Sequence, residues 1–141
     1  MRQEDWRHPL RALPAFAASA GGAVALEVFS GSGNLSRAWR RQQRALGYSI
    51  FEWDIRWGDE YDLTRRRVQR VLRGWVNNGL IAAVWLGTPC HSWSRARDIR
   101  PGPPPLRSDL HVMGLPELAP KDAEKVRIGN ALMKCSASLF L

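Results

Sequence analysis

The sequence predicts an α/β protein built on a parallel sheet. Three observations carry this. Three short segments rich in apolar, β-branched or aromatic residues occur at 23–29, 48–53 and 81–86. The stretches between them have helical spacing of apolar positions, and glycine-bearing turns follow the strands. Strand, helix, strand, helix, strand in alternation is the pattern of right-handed parallel crossovers. A chain of 141 residues with 45% hydrophobic content suits one domain with its own core and excludes a wholly disordered chain.

Residues 1–22 carry no clear period and read as an irregular leader, so the domain is expected over 23–141. Ala23 to Phe29 is the first strand, closed by Ser30-Gly31-Ser32-Gly33. Leu35, Ala38, Trp39, Gln42 and Leu46 then recur at helical spacing, and Gly47 is a natural stop. Tyr48 to Trp53 is the second strand. Thr64 is placed to cap a helix with apolar positions Val68, Val71, Leu72 and Trp75, which Asn77-Asn78-Gly79 ends. Ile81 to Leu86 is apolar throughout, as expected of a strand covered on both faces. Residues 91–120 hold six of the nine prolines and form a Pro/Arg-rich loop. Pro120 suits a first helical position, followed by a stripe of Ile128, Leu132, Cys135 and Leu139. That stripe makes Cys135 a core residue.

Composition narrows the function. The formal net charge is +8, and arginine supplies 18 of the 21 basic residues. Arginine grips phosphate as a planar fork, which favours a nucleic-acid partner, DNA first and RNA by the same chemistry. A GC-rich coding sequence enriches arginine too, so charge alone does not decide. Within the loop, Arg95, Arg97, Arg100 and Arg107 are the series expected to meet nucleic acid. Two cysteines 45 residues apart and three histidines give no metal-ligand spacing, so no metal is expected. No apolar run approaches the ~20 residues of a membrane span, and no apolar signal core opens the chain. The expected setting is intracellular, and nuclear in a eukaryote.

Two places have chemistry in them. Gly31 and Gly33 follow the first strand and open a helix, a geometry that brings a ligand close to backbone. Glu52 and Asp54 lie at the end of the next strand, about 20 residues on, where a carboxylate can hold a ribose diol. Cys90 follows Pro89 at the carboxyl end of the third strand, where open α/β sheets gather their chemistry. From position alone Cys90 is either a nucleophile or a small buried hydrophobe.

Taken in order, these segments resemble the N-terminal half of the DNA cytosine-5 methyltransferases. The glycine motif reads Glu27-Val28-Phe29-Ser30-Gly31-Ser32-Gly33, the second strand ends Glu52-Trp53-Asp54, and a looser third motif is Tyr61-Asp62-Leu63-Thr64. The fourth reads Gly87-Thr88-Pro89-Cys90-His91-Ser92-Trp93-Ser94. The likeness covers about residues 23–97. Asn34, Thr88 and His91 depart from the family pattern, standing where glycine, an aromatic residue and glutamine are usual.

The resemblance implies a Rossmann-like class I methyltransferase fold with a partial parallel sheet and flanking helices. It implies S-adenosylmethionine as cofactor, flanked by Phe29, Gly31 and Gly33. Glu52 would hold the ribose, Trp53 would stack on adenine, and Asp62 would take the adenine amino group. Cys90 would be the catalytic nucleophile, adding to C6 of a flipped cytosine. The family also uses a Glu-Asn-Val motif, an arginine-rich motif and a target-recognition domain, which residues 1–141 do not contain. The expectation is therefore a partial or degenerate relative, inactive by itself, whose sheet ends at strand 81–86. Two other readings stay open. One is a catalytically dead module of the same fold that binds nucleic acid. The other is a nicotinamide-dependent oxidoreductase, which uses Gly31, Gly33 and Glu52 but gives Pro89-Cys90 no role.

Overall fold

The computed structural model describes residues 9–99 and 101–140. Strands β1 (Val24–Val28), β2 (Ile50–Trp53) and β3 (Ile81–Leu86) form one parallel sheet in the order β2-β1-β3. Helices α1 (Pro9–Ser19), α2 (Asn34–Leu46), α3 (Arg66–Asn77) and α4 (Pro120–Ala137) accompany it. The chain is thus α/β with a small parallel sheet, as its alternating pattern predicts. None of the described helices is long and apolar enough to cross a membrane.

β1 lies at the centre, and all five of its residues are buried. Leu26 and Val28 join Phe51 and Trp53 of β2 in one apolar cluster with Val68 and Leu72 of α3 and Leu132 and Cys135 of α4. Trp53 anchors it. Its ring meets Tyr61 and Trp75 edge-on at 5.1 and 5.8 Å, and its indole N–H donates to the Tyr61 carbonyl at 3.0 Å. Burial leaves the Tyr61 phenol well above its ordinary range and therefore neutral. Cys135 is buried in the core, as its helical stripe predicts, and burial pushes its thiol up.

The other face of the sheet is polar at its centre. Glu27 and Glu52 are register partners on neighbouring strands, and both are buried. α2 lies over them with Ser36, Arg40 and Gln43. Ser36 donates to Glu27 through its backbone N–H and its hydroxyl, Arg40 pairs with Glu52, and Gln43 reaches Ser49 at the start of β2.

Five details differ from the sequence expectation. Residues 1–8 of the leader lie outside the described residues, but residues 9–19 form α1, with Leu13 and Ala17 in the core and Phe16 edge-on to Phe51 at 5.6 Å. Pro14 and Gly21-Gly22 obscured a short apolar stripe made mostly of alanine. α2 does not bury Leu35, Ala38, Trp39, Gln42 and Leu46. Its one buried residue is Ser36. At about 100° per residue the apolar row lies roughly a quarter turn from Ser36, Arg40 and Gln43, so carboxylates in the sheet, not hydrophobicity, set the helix's rotation. Thr64 does not cap α3, because its N–H and hydroxyl both serve Asp62. β2 begins at Ile50: Tyr48 lies in the bend after Gly47, and Ser49 joins the sheet only through its carbonyl, which accepts from the Ala25 N–H at 2.8 Å. β3 is not covered on both faces along its length: Ala82 and Ala83 are exposed and Trp85 is 61% exposed, while Val84 and Leu86 pack on the core. As expected, the described sheet ends at this strand.

α2 stops at glycine, as its sequence predicts. Gly47 takes the left-handed conformation, φ 76°, and its N–H closes on the Gln43 carbonyl. Pro120 opens α4, with Asp122 in the first turn and Lys134 in the last, each favourable to the helix dipole.

Leu13 is fully buried, so α1 belongs to the core. Leu13→Ala should cost about 2–5 kcal/mol in urea unfolding. A loss below about 0.5 kcal/mol, the range of surface substitutions, would remove α1 from the cooperative unit.

Candidate cofactor cleft and cysteine loop

A cleft of about 620 Å³ opens at the carboxyl ends of the strands. Phe29 and Gly31 enter it from β1, Trp53, Asp54 and Ile55 from β2, and Gly87 and Pro89 from β3. Tyr61, Asp62, Leu63 and Thr64 form one side, and Glu124, Arg127, Ile128 and Leu132 of α4 form another.

The turn after β1 is tightly drawn. Phe29 has φ 60°, a left-handed conformation rare for an aromatic residue, and its N–H donates to the Trp53 carbonyl at 2.7 Å. The Gly31 N–H donates to Asp54 Oδ2 at 2.8 Å and ties this turn to the end of β2. Asp54 Oδ1 also accepts from the Arg56 N–H at 3.0 Å. Gly33 has φ 68°, and a Cβ there would lie 2.9 Å from Glu52 Oε2. The left-handed φ favours glycine, and a side chain here would have to displace the buried Glu52 carboxylate from its arginines.

Of the residues singled out in the sequence, Phe29, Gly31, Trp53 and Asp62 line the cleft. Gly33 and Glu52 do not. Glu52 is held by Arg40 at 2.7 Å and Arg56 at 3.1 Å, under the turn. Asp54 faces the cleft in its place. Asp62 accepts from the Thr64 N–H and hydroxyl at 2.9 and 2.7 Å and from Arg65 Nε at 3.2 Å. Burial opposes ionisation of Asp62, but these hydrogen bonds and the Arg65 charge outweigh it and hold the carboxyl below its ordinary value.

Cys90 is exposed, one residue beyond the cleft-lining Pro89. Its carbonyl accepts from the Trp93 and Ser94 N–H groups, each at 2.7 Å, in a tight turn. Two anchors on α4 hold this loop. Upstream, Thr88 Oγ1 meets Ser136 Oγ at 2.7 Å. Downstream, Arg107 donates to the Ser92 carbonyl at 2.8 Å, to Ser92 Oγ at 3.1 Å and to Asn130 Oδ1 of α4 at 2.8 Å. Its guanidinium lies 3.4 Å from the centre of the Trp93 ring. Gly129 of α4 makes this approach possible, because a Cβ there would collide with Ser92 Oγ and crowd the Trp93 indole nitrogen at 3.2 Å.

The loop arginines therefore part company. Arg107 turns inward, where desolvation lowers its pKa, and it also closes the loop on the Val112 carbonyl at 2.6 Å. Arg97 donates to the Pro104 carbonyl at 3.1 Å. Arg95 is exposed, 3.6 Å from Asp98. Arg100 lies outside the described residues. Arg97 and Arg107 thus act first as internal cross-links of a loop with little regular structure. A smaller cavity of about 360 Å³ lies among them, walled by Trp93, Leu106 and Val112.

Sequence reasoning did not single out Arg107 as an organiser, Gly129, or the Glu124 and Arg127 pair joined at 2.6 Å on the cleft wall. A helix-interior glycine in an otherwise good helical segment was the one available sign. No family model, curated protein or solved structure matches this chain.

Lysine cannot reproduce the Arg107 fork. Arg107→Lys should destabilise the fold by about 1.5–3 kcal/mol, while the exposed Arg95→Gln should stay within about 0.5 kcal/mol. Equal effects in urea unfolding would return Arg107 to the surface series.

Asp62 contributes a pH-dependent term. Its folded pKa is depressed, so the stabilisation is fully present above the unfolded value of about 3.9 and is lost as pH falls through the folded one. Between about pH 5 and pH 2, wild type should lose more stability than Asp62→Asn. Parallel unfolding curves for the two proteins would show that Asp62 makes no net ionic contribution.

Proposed function

We propose that this chain is an S-adenosylmethionine-dependent methyltransferase-like domain of the Rossmann-like class I type. Its relatives by resemblance are the DNA cytosine-5 methyltransferases. The observation that carries the reading is the cleft. It unites Phe29, Gly31, Trp53, Asp62, Gly87 and Pro89, residues drawn from each of the four motifs on which the resemblance rests.

The residues present fit such a cofactor. The cleft volume lies in the range of small-molecule sites. Phe29, Trp53, Leu63 and Ile128 give it apolar walls for a purine, and Asp54 and Asp62 supply acceptors for hydroxyl and amino groups. Asp54, Asp59, Asp62 and Glu124 outnumber Arg127, which is itself paired with Glu124. An acidic cleft suits a cationic ligand and disfavours the diphosphate of a nicotinamide dinucleotide. This weighs further against the oxidoreductase reading, which already gives Pro89-Cys90 no role. Glu52 keeps its place in the proposal as the support of Gly33 and the β1 turn, and Asp54 is the nearer acceptor for a ribose. When bound, the cofactor would supply an electrophilic methyl group. The chain's own part is to hold it on Gly31, Asp54 and Asp62 and to present Cys90 on an anchored loop. In this reading Cys90 is the nucleophile toward C6 of a cytosine in DNA.

One observation favours the second reading, a nucleic-acid-binding module without catalysis. Cys90 stands exposed and is not among the cleft-lining residues.

Calorimetric titration should show binding of S-adenosylmethionine or S-adenosylhomocysteine and none of NAD. Asp62→Ala should weaken it about 10- to 150-fold if one charged acceptor is lost. Unchanged affinity in that variant, or preference for NAD, would overturn the cofactor assignment. With cofactor present, a covalent adduct on DNA containing 5-fluorocytosine would support catalysis by Cys90. Cofactor binding without an adduct would favour the second reading.

A further inference from the structure

The described arginines sort by what they touch. Arg40 and Arg56 hold Glu52, Arg65 bridges Asp59 and Asp62, Arg127 holds Glu124, and Arg97 and Arg107 bind carbonyls of the loop. Arg37 donates to the Ser32 carbonyl and to Asn34. The arginines of α3 touch none of these groups; nor do Arg41 and Arg44 of α2, but on α3 they are more numerous. Arg66, Arg67, Arg70 and Arg73 are all exposed, and none makes an ion pair among the described residues.

Their placement is ordered. At about 100° per residue, Arg66, Arg70 and Arg73 fall within roughly 60° of arc, opposite the buried Val68 and Leu72. They form a stripe about 10 Å long at a 1.5 Å rise. Spacings of three and four residues bring like charges together, which destabilises a helix. α3 also has no acidic residue in its first turn and no side-chain cap, while Arg66 and Arg67 sit at the end where the helix dipole disfavours cations. No ion pair among the described residues offsets this concentration of positive charge on the exposed face. A polyanion would.

We propose that the Arg66, Arg70 and Arg73 stripe of α3, flanked by Arg67, is the docking surface for the phosphate backbone of a nucleic-acid duplex. Duplex DNA carries one charge per ~1.7 Å of axis, so a rigid row of this length meets several phosphates at once. A membrane surface fits less well. The apolar residues of α3 face the core, and an interfacial helix needs them on the side it presents to lipid. The inference deepens the nucleic-acid part of the proposed function and is independent of the cofactor. It moves the contact from the Pro/Arg-rich loop to a helix whose arginines have no internal task.

The test is fluorescence anisotropy of the full chain on a labelled 20-base-pair DNA duplex across a sodium chloride series. Each phosphate neutralised contributes about −0.9 to the slope of log affinity against log salt. Replacing Arg66, Arg70 and Arg73 together by glutamine should make the slope about two to three units shallower. The triple lysine variant should keep the wild-type slope. Arg95→Gln should leave it nearly unchanged. The glutamine variant relieves like-charge repulsion on an exposed face, so its Tm should not fall, and a matching far-ultraviolet spectrum excludes unfolding as the cause. A slope reduced by the Arg95 variant and not by the α3 variant would overturn the inference while keeping a nucleic-acid partner. Salt-independent binding by wild type, or binding to phosphatidylserine vesicles and not to the duplex, would overturn both.

Discussion

Two buried carboxylates set the architecture. Glu27 and Glu52 are register partners in a sheet whose strands lie about 4.8 Å apart, so two acidic side chains share one face near the centre of the fold. Burying a charge without partners is costly. The chain answers each separately: Glu27 receives the first turn of α2 through Ser36, and Glu52 receives Arg40 and Arg56. This fixes the rotation of α2 and leaves its apolar row at the flank. It also favours glycine at position 33, where the Glu52 carboxylate occupies the space a side chain would need. The β1 turn that opens the cleft takes its shape from the same arrangement.

α4 does the corresponding work on the other side. It closes the core with Leu132 and Cys135, forms one wall of the cleft with Ile128 and Arg127, and carries both anchors of the Cys90 loop. Cleft and loop are thus coupled through one helix. A shift of α4 would move the cofactor-side wall and the cysteine seat together. The Trp93 indole nitrogen is buried with no hydrogen-bond partner among the described residues. The fold accepts that deficit where Trp93 is pressed between Arg107 and Gly129, as the geometry of those contacts shows.

The arginine content has several structural uses. Some residues neutralise buried or half-buried carboxylates, some cross-link a loop that has no ladder of its own, and some are free on the surface. Net charge therefore overstates the surface available to an anionic partner, and its position matters more than its sum. The loop series, conspicuous in the sequence because proline surrounds it, is largely spent on internal bonds. The α3 series looks unremarkable beside it, as an ordinary solvated helix face.

The sequence by itself determined the order of elements, the parallel sheet, the ends of β3, the glycine stop of α2, the proline start of α4 and the burial of Cys135. These are set by local physics: side-chain period, positive-φ turns and the missing N–H of proline. It also determined that Phe29, Gly31 and Trp53 stand near strand ends and that Asp62 closes the polar connection after β2. Tertiary structure alone decided what those ends share. Whether Glu52 faces a ligand or two arginines depends on residues 12 positions earlier and 4 later, brought together by the β1–α2–β2 crossover. Whether Arg107 meets solvent or Ser92 and Asn130 depends on how the loop folds onto α4, and no periodicity records that. α1 was hidden because alanine carries little pattern, and its burial is a property of the surface it covers. Local period names a face, but only the assembled sheet decides which face is buried and which charge finds its partner.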